Sequence, residues 1–233
     1  QLAARGANLV MVSIDREDLD REAKKIVNTS GVSVETICMD LAQPDAANKL
    51  YDHCRQKGIQ IEILINNAGI FSFQEITRTD PKKIETMLQL HIGTVTRLSR
   101  LFATDMCNRK HGYILNMSSL SCWTPYPGIA LYTATKAYIR VFTRALGYER
   151  SRSHSRLSRR RCHRIIRIKT RATEIGSSVR SPYDNRALGS QSIKSPVPRQ
   201  KTTYPRSIQP SADSFGICHA HFHTAICKTP SAR

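Results

Sequence analysis

The 233-residue sequence has no apolar run long enough to span a membrane. Its opening, QLAARGANLVMV, lacks the charged stretch and following apolar run of a secretory leader. Neither a membrane-spanning nor an exported chain is expected. No Cys-x-x-Cys pair occurs among the 7 cysteines. A disulfide framework is therefore not indicated, and a reducing cytoplasm is the simplest compartment. No Met stands at the start, so the chain reads as the interior of a longer reading frame. Acidic residues are few, 18 against 36 Lys and Arg, for a net charge of +18. A surplus of that size ordinarily points to nucleic acid or an anionic surface.

The surplus is unevenly placed. Residues 1–149 hold 18 Lys and Arg against 15 Asp and Glu, whereas residues 150–233 hold 18 against 3. The first stretch has the balance of an ordinary globular domain, large enough for its own core. The second is a basic segment with 14 Ser and only short apolar stretches such as Ile165-Ile166. Its composition leads one to expect a segment that is disordered or nearly so.

In residues 1–149, short apolar runs alternate with helical patterns. Strands are expected at Asn8–Ser13, Val32–Met39, Ile59–Ile65 and Gly112–Met117. Helices are expected over 17–30, 44–57 and 130–149, with one long helix opened by Pro81. Alternation of this kind predicts right-handed βαβ units and a parallel sheet covered on both faces. Ligands of such sheets bind at the carboxyl ends of the strands.

The residues just past each strand are the informative ones. The third strand runs into Asn66-Asn67-Ala68-Gly69, suited to a tight exit that presents backbone groups to a ligand, or to an ordinary turn. The fourth runs into Ser118-Ser119. Thirteen residues beyond Ser119 stands Tyr132, and Lys136 follows four later on the same helix face. An ammonium near a phenol favours the phenolate. With Ser119 to hold a substrate oxygen, the three make a general acid–base pair and an orienting donor. Asp40-Leu41 follows the second strand, where Asp40 can accept hydrogen bonds from an adenine or serve as a helix cap.

Asp40-Leu41, Asn66-Asn67-Ala68-Gly69, Ser119 and Tyr132-Thr133-Ala134-Thr135-Lys136 stand in the order and at the spacing of the short-chain dehydrogenase/reductase family, which residues 1–149 resemble. The resemblance implies a Rossmann-type doubly wound α/β fold, NAD or NADP as cofactor, and hydride transfer with a small-molecule carbonyl or alcohol. It implies that Tyr132 exchanges a proton with the substrate and that Ser119 polarises its carbonyl. Lys136 would bind the nicotinamide ribose and lower the Tyr132 pKa. Residues Asn66, Asn67, Ala68 and Gly69 would line the cofactor site and steady the sheet, with Asp40 and Leu41 near the adenine. An intact member is expected to self-associate. No metal and no nucleic acid are expected.

The chain departs from the family pattern in four places. The usual catalytic Asn is replaced by His91, which could take over a proton relay or be a tolerated substitution that slows it. The glycine-rich TGxxxGIG phosphate turn is absent, as a truncated N-terminus would explain. Both Asp15 and Arg16 stand near the position that selects NAD or NADP. After residue 149 the expected strand and Pro-Gly turn give way to RSRSHSRLSRRRCHRIIRIKTR.

A shifted reading frame from about residue 150 accounts for that loss, and the sheet is then expected to be incomplete at both ends, with unpartnered strands and no activity in this chain. A non-catalytic relative and a nucleic-acid-binding protein using the 150–171 Arg-rich stretch are the alternative readings. Cys218, His219, His221, His223 and Cys227 fit no standard zinc spacing. Trp123, Tyr126 and Pro127, between Ser119 and Tyr132, are expected to border the substrate, Trp123 and Tyr126 then pointing to an apolar or ring-bearing one, or else simply to pack.

Overall fold

The computed structural model describes residues 1–124, 126–152, 169–171 and 224–228. The chain begins with a short 3₁₀ turn at Ala3–Arg5, then strand β1 (Asn8–Ser13) and helix α1 (Arg16–Ser30). Strand β2 (Val34–Cys38), helix α2 (Ala46–Gln56) and strand β3 (Ile63–Asn66) follow. Helix α3 (Pro81–Leu88) passes through a π turn (Gln89–Thr94) into α4 (Val95–Arg109), and strand β4 (Tyr113–Met117) comes next. A 3₁₀ segment (Leu120–Trp123) leads to helix α5 (Ala130–Arg152), and two strands, β5 (Lys169–Arg171) and β6 (Thr224–Lys228), complete the set.

Local chemistry sets several of these boundaries. Asp15 caps α1 by accepting the Asp18 N–H at 2.9 Å, and Glu17 and Asp18 favour the positive end of the helix. Asp80 and Pro81 start α3 in the same manner. At the end of α4, Lys110 takes φ 61° and Gly112 φ 156°. A Cβ at Gly112 would overlap the Met106 side chain, so only glycine brings the chain this close as it enters β4.

The sheet order is β2-β1-β6-β3-β4-β5. The pairs β1–β2, β3–β4 and β4–β5 are parallel, while β6 lies antiparallel to both β1 and β3. Successive β1 residues serve opposite faces. Val10 and Val12 join Ile37, Leu50, Leu64, Leu98, Phe102 and Ile114 in the larger core, whereas Leu9 and Met11 join Ala3, Leu19 and Val32 in a smaller one. Helices therefore cover both faces, as a doubly wound Rossmann-type sheet requires.

Two expectations need correction. The helix opened by Pro81 is not one α-helix, because the π turn divides it. Nor are the strands before residue 150 left without neighbours. β5 continues the parallel order beside β4, and β6 fills the gap between β1 and β3. The physical reason is that unpaired strand edges seek any extended segment that can satisfy their N–H and C=O groups. The Rossmann arrangement is still incomplete, since the centre of the sheet is held by an antiparallel strand. Among the described residues, no helix is long and apolar enough to cross a membrane. Most of the 150–233 segment, including the 153–168 part of the Arg-rich stretch beyond α5, Cys218, His219, His221 and His223, lies outside the described residues; Cys227 is in β6.

Candidate active site

β3 and β4 are parallel neighbours with Asn66 paired to Asn116, so their carboxyl ends open side by side. Both residues are buried within the sheet. Asn66 Nδ2 donates to Asn116 Oδ1 at 2.7 Å and to Ser99 Oγ of α4 at 3.3 Å. Asn116 Nδ2 donates to Thr143 Oγ1 of α5 at 3.0 Å. Such amides satisfy one another where water is absent. They lock β3, β4, α4 and α5 at the sheet end, and the Asn66 side chain is committed to that network.

Past β4, Ser118 Oγ donates to the Lys136 carbonyl at 2.7 Å and so ties α5 to the strand exit. The Lys136 ammonium is buried and donates to the Met117 carbonyl at 3.1 Å. It lies 5.6 Å from the centre of the Tyr132 ring. Burial pulls the Lys136 pKa down to about 8. Ser119 caps the Leu120–Trp123 segment, where its Oγ accepts from Ser121 N at 3.3 Å and Ser121 Oγ at 3.0 Å. Ser119 also hydrogen-bonds Tyr132, which favours the phenolate, but burial is the larger effect and leaves the Tyr132 pKa raised. The expected lowering of that pKa by Lys136 is thus corrected for the chain by itself: desolvation of the phenol wins. Ser119, Tyr132 and Lys136 are nonetheless brought together.

The 67–70 turn stands opposite them. Gly69 comes so close to His91 that a Cβ there would lie 2.9 Å from its Nε2 and 3.6 Å from Lys136 Nζ. His91, in the π turn, is fully buried. Ile70 N–H donates to its Nε2 at 3.0 Å, and Thr135 Oγ1 meets its Nδ1 at 2.9 Å. Burial, followed by the charge of Lys136, drives the His91 pKa down to about 3. Ala68 packs on the larger core, and Asn67 is half-buried in the turn.

The β2 exit is occupied by local bonding. Asp40 Oδ1 accepts the Ala42 N–H at 2.9 Å and Oδ2 accepts from Gln43 at 2.8 Å, which closes a turn ahead of α2, whose N-cap position is Asp45. Leu41 is buried, and its carbonyl accepts from Thr94 Oγ1 of the π turn at 2.6 Å. At the β1 exit, Asp15 serves as the α1 cap and Arg16 begins that helix.

Sequence reasoning missed several contributors. Phe71 packs edge-on against Tyr132 with ring centres 4.9 Å apart. The Phe73 ring stands where a Cβ at Gly128 would meet it at 3.1 Å, and Gln74 N–H donates to the Gly128 carbonyl at 2.6 Å, joining the loop after β3 to the loop before α5. Asn116 carried a usable signal, an amide inside the apolar strand YILNM. Trp123 is 51% exposed with the Arg140 guanidinium 3.9 Å above its ring. Tyr126 and Pro127 lie in the loop that leads to α5. Among the described residues, no cluster of three or more His, Cys, Asp or Glu side chains is placed to hold a metal ion.

Comparison with known proteins gives a consistent picture. The sequence model of the family described as short chain dehydrogenase matches residues 1–158. The very-long-chain 3-oxoacyl-CoA reductase of Anas platyrhynchos is 34% identical over 155 residues, 64% of this chain and 49% of that protein. The 17-beta-hydroxysteroid dehydrogenase type 3 of Homo sapiens is 33% identical over 153 residues, 64% of this chain and 48% of that protein. The chain thus spans about half the length of the curated relatives it matches. A short-chain dehydrogenase from Sphingobium yanoikuyae, solved in complex with NADPH, superposes with TM-score 0.64 at 29% identity, over 73% of this chain and 62% of that one.

Proposed function

The chain belongs to the short-chain dehydrogenase family, and on that premise we propose that it is an NAD(P)-dependent oxidoreductase acting on an apolar carbonyl or alcohol through Ser119, Tyr132 and Lys136. The observation that carries the reading is the convergence of these three residues at the carboxyl end of β4, facing the Gly69 turn.

The residues suit the nicotinamide half of a dinucleotide. The buried Lys136 ammonium has three donors, and one goes to the Met117 carbonyl. The others match a pair of ribose hydroxyls. The absence of a side chain at Gly69 lets the 67–70 turn close on His91 and stand beside the Lys136 ammonium. When bound, the nicotinamide supplies the hydride chemistry. What the chain supplies is position and a proton. Tyr132, neutral at physiological pH because of its raised pKa, donates its hydroxyl proton to the carbonyl oxygen during reduction. Ser119 holds that oxygen beside Tyr132. Thr135 and Ser118 fix the helix that carries both Tyr132 and Lys136.

Phe71 and Phe73 after β3, and Trp123 after Ser119, are half-exposed. They border the site on two sides and favour an apolar chain or ring. The named substrates of the relatives, 3-oxoacyl-CoA thioesters and 17-beta-hydroxysteroids, point the same way. Self-association completes the reading. Oxidation of NADH and of NADPH, followed with a panel of ketones, tests it: turnover is expected to rise with the apolar size of the ketone. Equal turnover of small polar and large apolar ketones contradicts the substrate class.

A further inference from the structure

A neutral imidazole carries one proton on two nitrogens, and a buried one needs a partner for each. At His91 the partners decide where the proton sits. The Ile70 N–H can only donate, and it lies 3.0 Å from Nε2, which must therefore accept. At the other side, Thr135 Oγ1 has one proton, and that proton goes to the Tyr132 carbonyl at 2.8 Å. Thr135 Oγ1 must then accept from Nδ1, 2.9 Å away. Two independent contacts thus specify the same tautomer. A second proton on Nε2 would point at the Ile70 N–H.

We propose that His91 is a positioning residue, locked as the Nδ1–H tautomer, which clasps the 67–70 turn to α5 at Thr135 and moves no proton. Both nitrogens are committed, so no N–H and no lone pair remains for a water. Of the two roles expected from the sequence, the relay is thereby set aside. The titratable groups that face the ring are Tyr132, with ring centres 5.9 Å apart, and Lys136, both on α5. From the β3 exit it meets the Gly69 and Ile70 backbone. Gly69 is the counterpart of the clasp, because any Cβ there would push against Nε2. The π turn is what carries the ring into this position. The tautomer stands by itself; only the purpose of the clasp rests on the hydride-transfer reading.

The test is imidazole NMR on the chain labelled with ¹⁵N-histidine, from about pH 5 to about pH 9. One imidazole is expected to show the Nδ1–H pattern and no titration. An Nε2–H pattern for the buried ring, or titration of every imidazole in this range, overturns the proposal. A second arm uses His91→Asn and His91→Gln, each shaped to keep one of the two bonds. Their kcat is expected to fall on the order of tenfold or more. The inflections of kcat/KM against pH and the solvent isotope effect are expected to stay as they are. A moved inflection or a changed isotope effect contradicts the clasp and favours a relay. A chain with the expected tautomer but no turnover contradicts the hydride-transfer reading and leaves the clasp standing.

Discussion

Lys136 and His91 both have lowered pKa values because burial penalises their charged forms, yet the consequences fall in different pH ranges. Lys136 holds its charge only below about 8. Its contacts to a ribose need that charge, so kcat/KM for carbonyl reduction is expected to be level near neutrality and to fall as pH rises through about 8. A profile flat to about pH 10, the ordinary lysine range, contradicts this. His91 matters on the acid side. Its folded pKa of about 3 lies below the ordinary 6.5, so between these values the unfolded chain binds a proton that the folded chain refuses. Stability from this group is therefore present above pH 6.5 and is lost as pH falls toward 3. The loss approaches about 1.4 kcal/mol per pH unit. Urea midpoints measured near neutrality and near pH 5 are expected to differ less in His91→Asn than in the parent chain. An unchanged difference contradicts a neutral buried ring.

The elements of the first 149 residues were legible where periodicity and capping agreed. β1 was expected at Asn8–Ser13 and is found there. Asp15 and Asp80 cap the helices they precede, and the apolar stripe after Pro81 did mark a buried helical face. The π turn was not legible, because one widened turn barely disturbs the spacing of Met87, Leu90, Leu98 and Phe102. Asp40 was open between adenine contact and cap, since a carboxylate suits either; its partners, Ala42 and Gln43, form a turn ahead of α2, and the N-cap position of that helix is Asp45. The Asn66–Asn116–Thr143 chain was hidden because its members are far apart in sequence. Its worth is testable. Asn116→Leu removes the acceptor of Asn66 Nδ2 and the donor to Thr143 Oγ1, leaving Asn66 Nδ2 only Ser99 Oγ and Thr143 Oγ1 only the Ile139 carbonyl, and is expected to cost about 1 kcal/mol for each buried hydrogen bond lost. Denaturant unfolding with no loss of stability contradicts a structural role for the network.

At the scale of the whole molecule, the central slot of the sheet is held by a strand from the far end of the chain. β6 pairs with β1 through Asn8–Lys228 and with β3 through Ile63–Cys227, so it joins the two parallel halves. Its sequence, TAICK, carried little strand signal; an open slot flanked by two strand edges supplies the reason to pair. Ile226→Pro removes an N–H from the middle of this ladder, and a loss of about 1–3 kcal/mol is expected from the carbonyl left without its donor. An unchanged unfolding midpoint contradicts a central place for β6. The same sheet sets β3 and β4 side by side and so assembles the proposed chemistry. The most direct measurement of that chemistry is NADPH- or NADH-dependent ketone reduction by the chain and by Tyr132→Phe, with cofactor binding followed by nicotinamide fluorescence. The expectation of no activity rested on unpartnered strands; since β5 and β6 pair them, the account reverses it and expects the parent chain to turn over and Tyr132→Phe to lose at least about a hundredfold in kcat while keeping its cofactor affinity. Equal turnover by the two chains, or none by the parent, contradicts it.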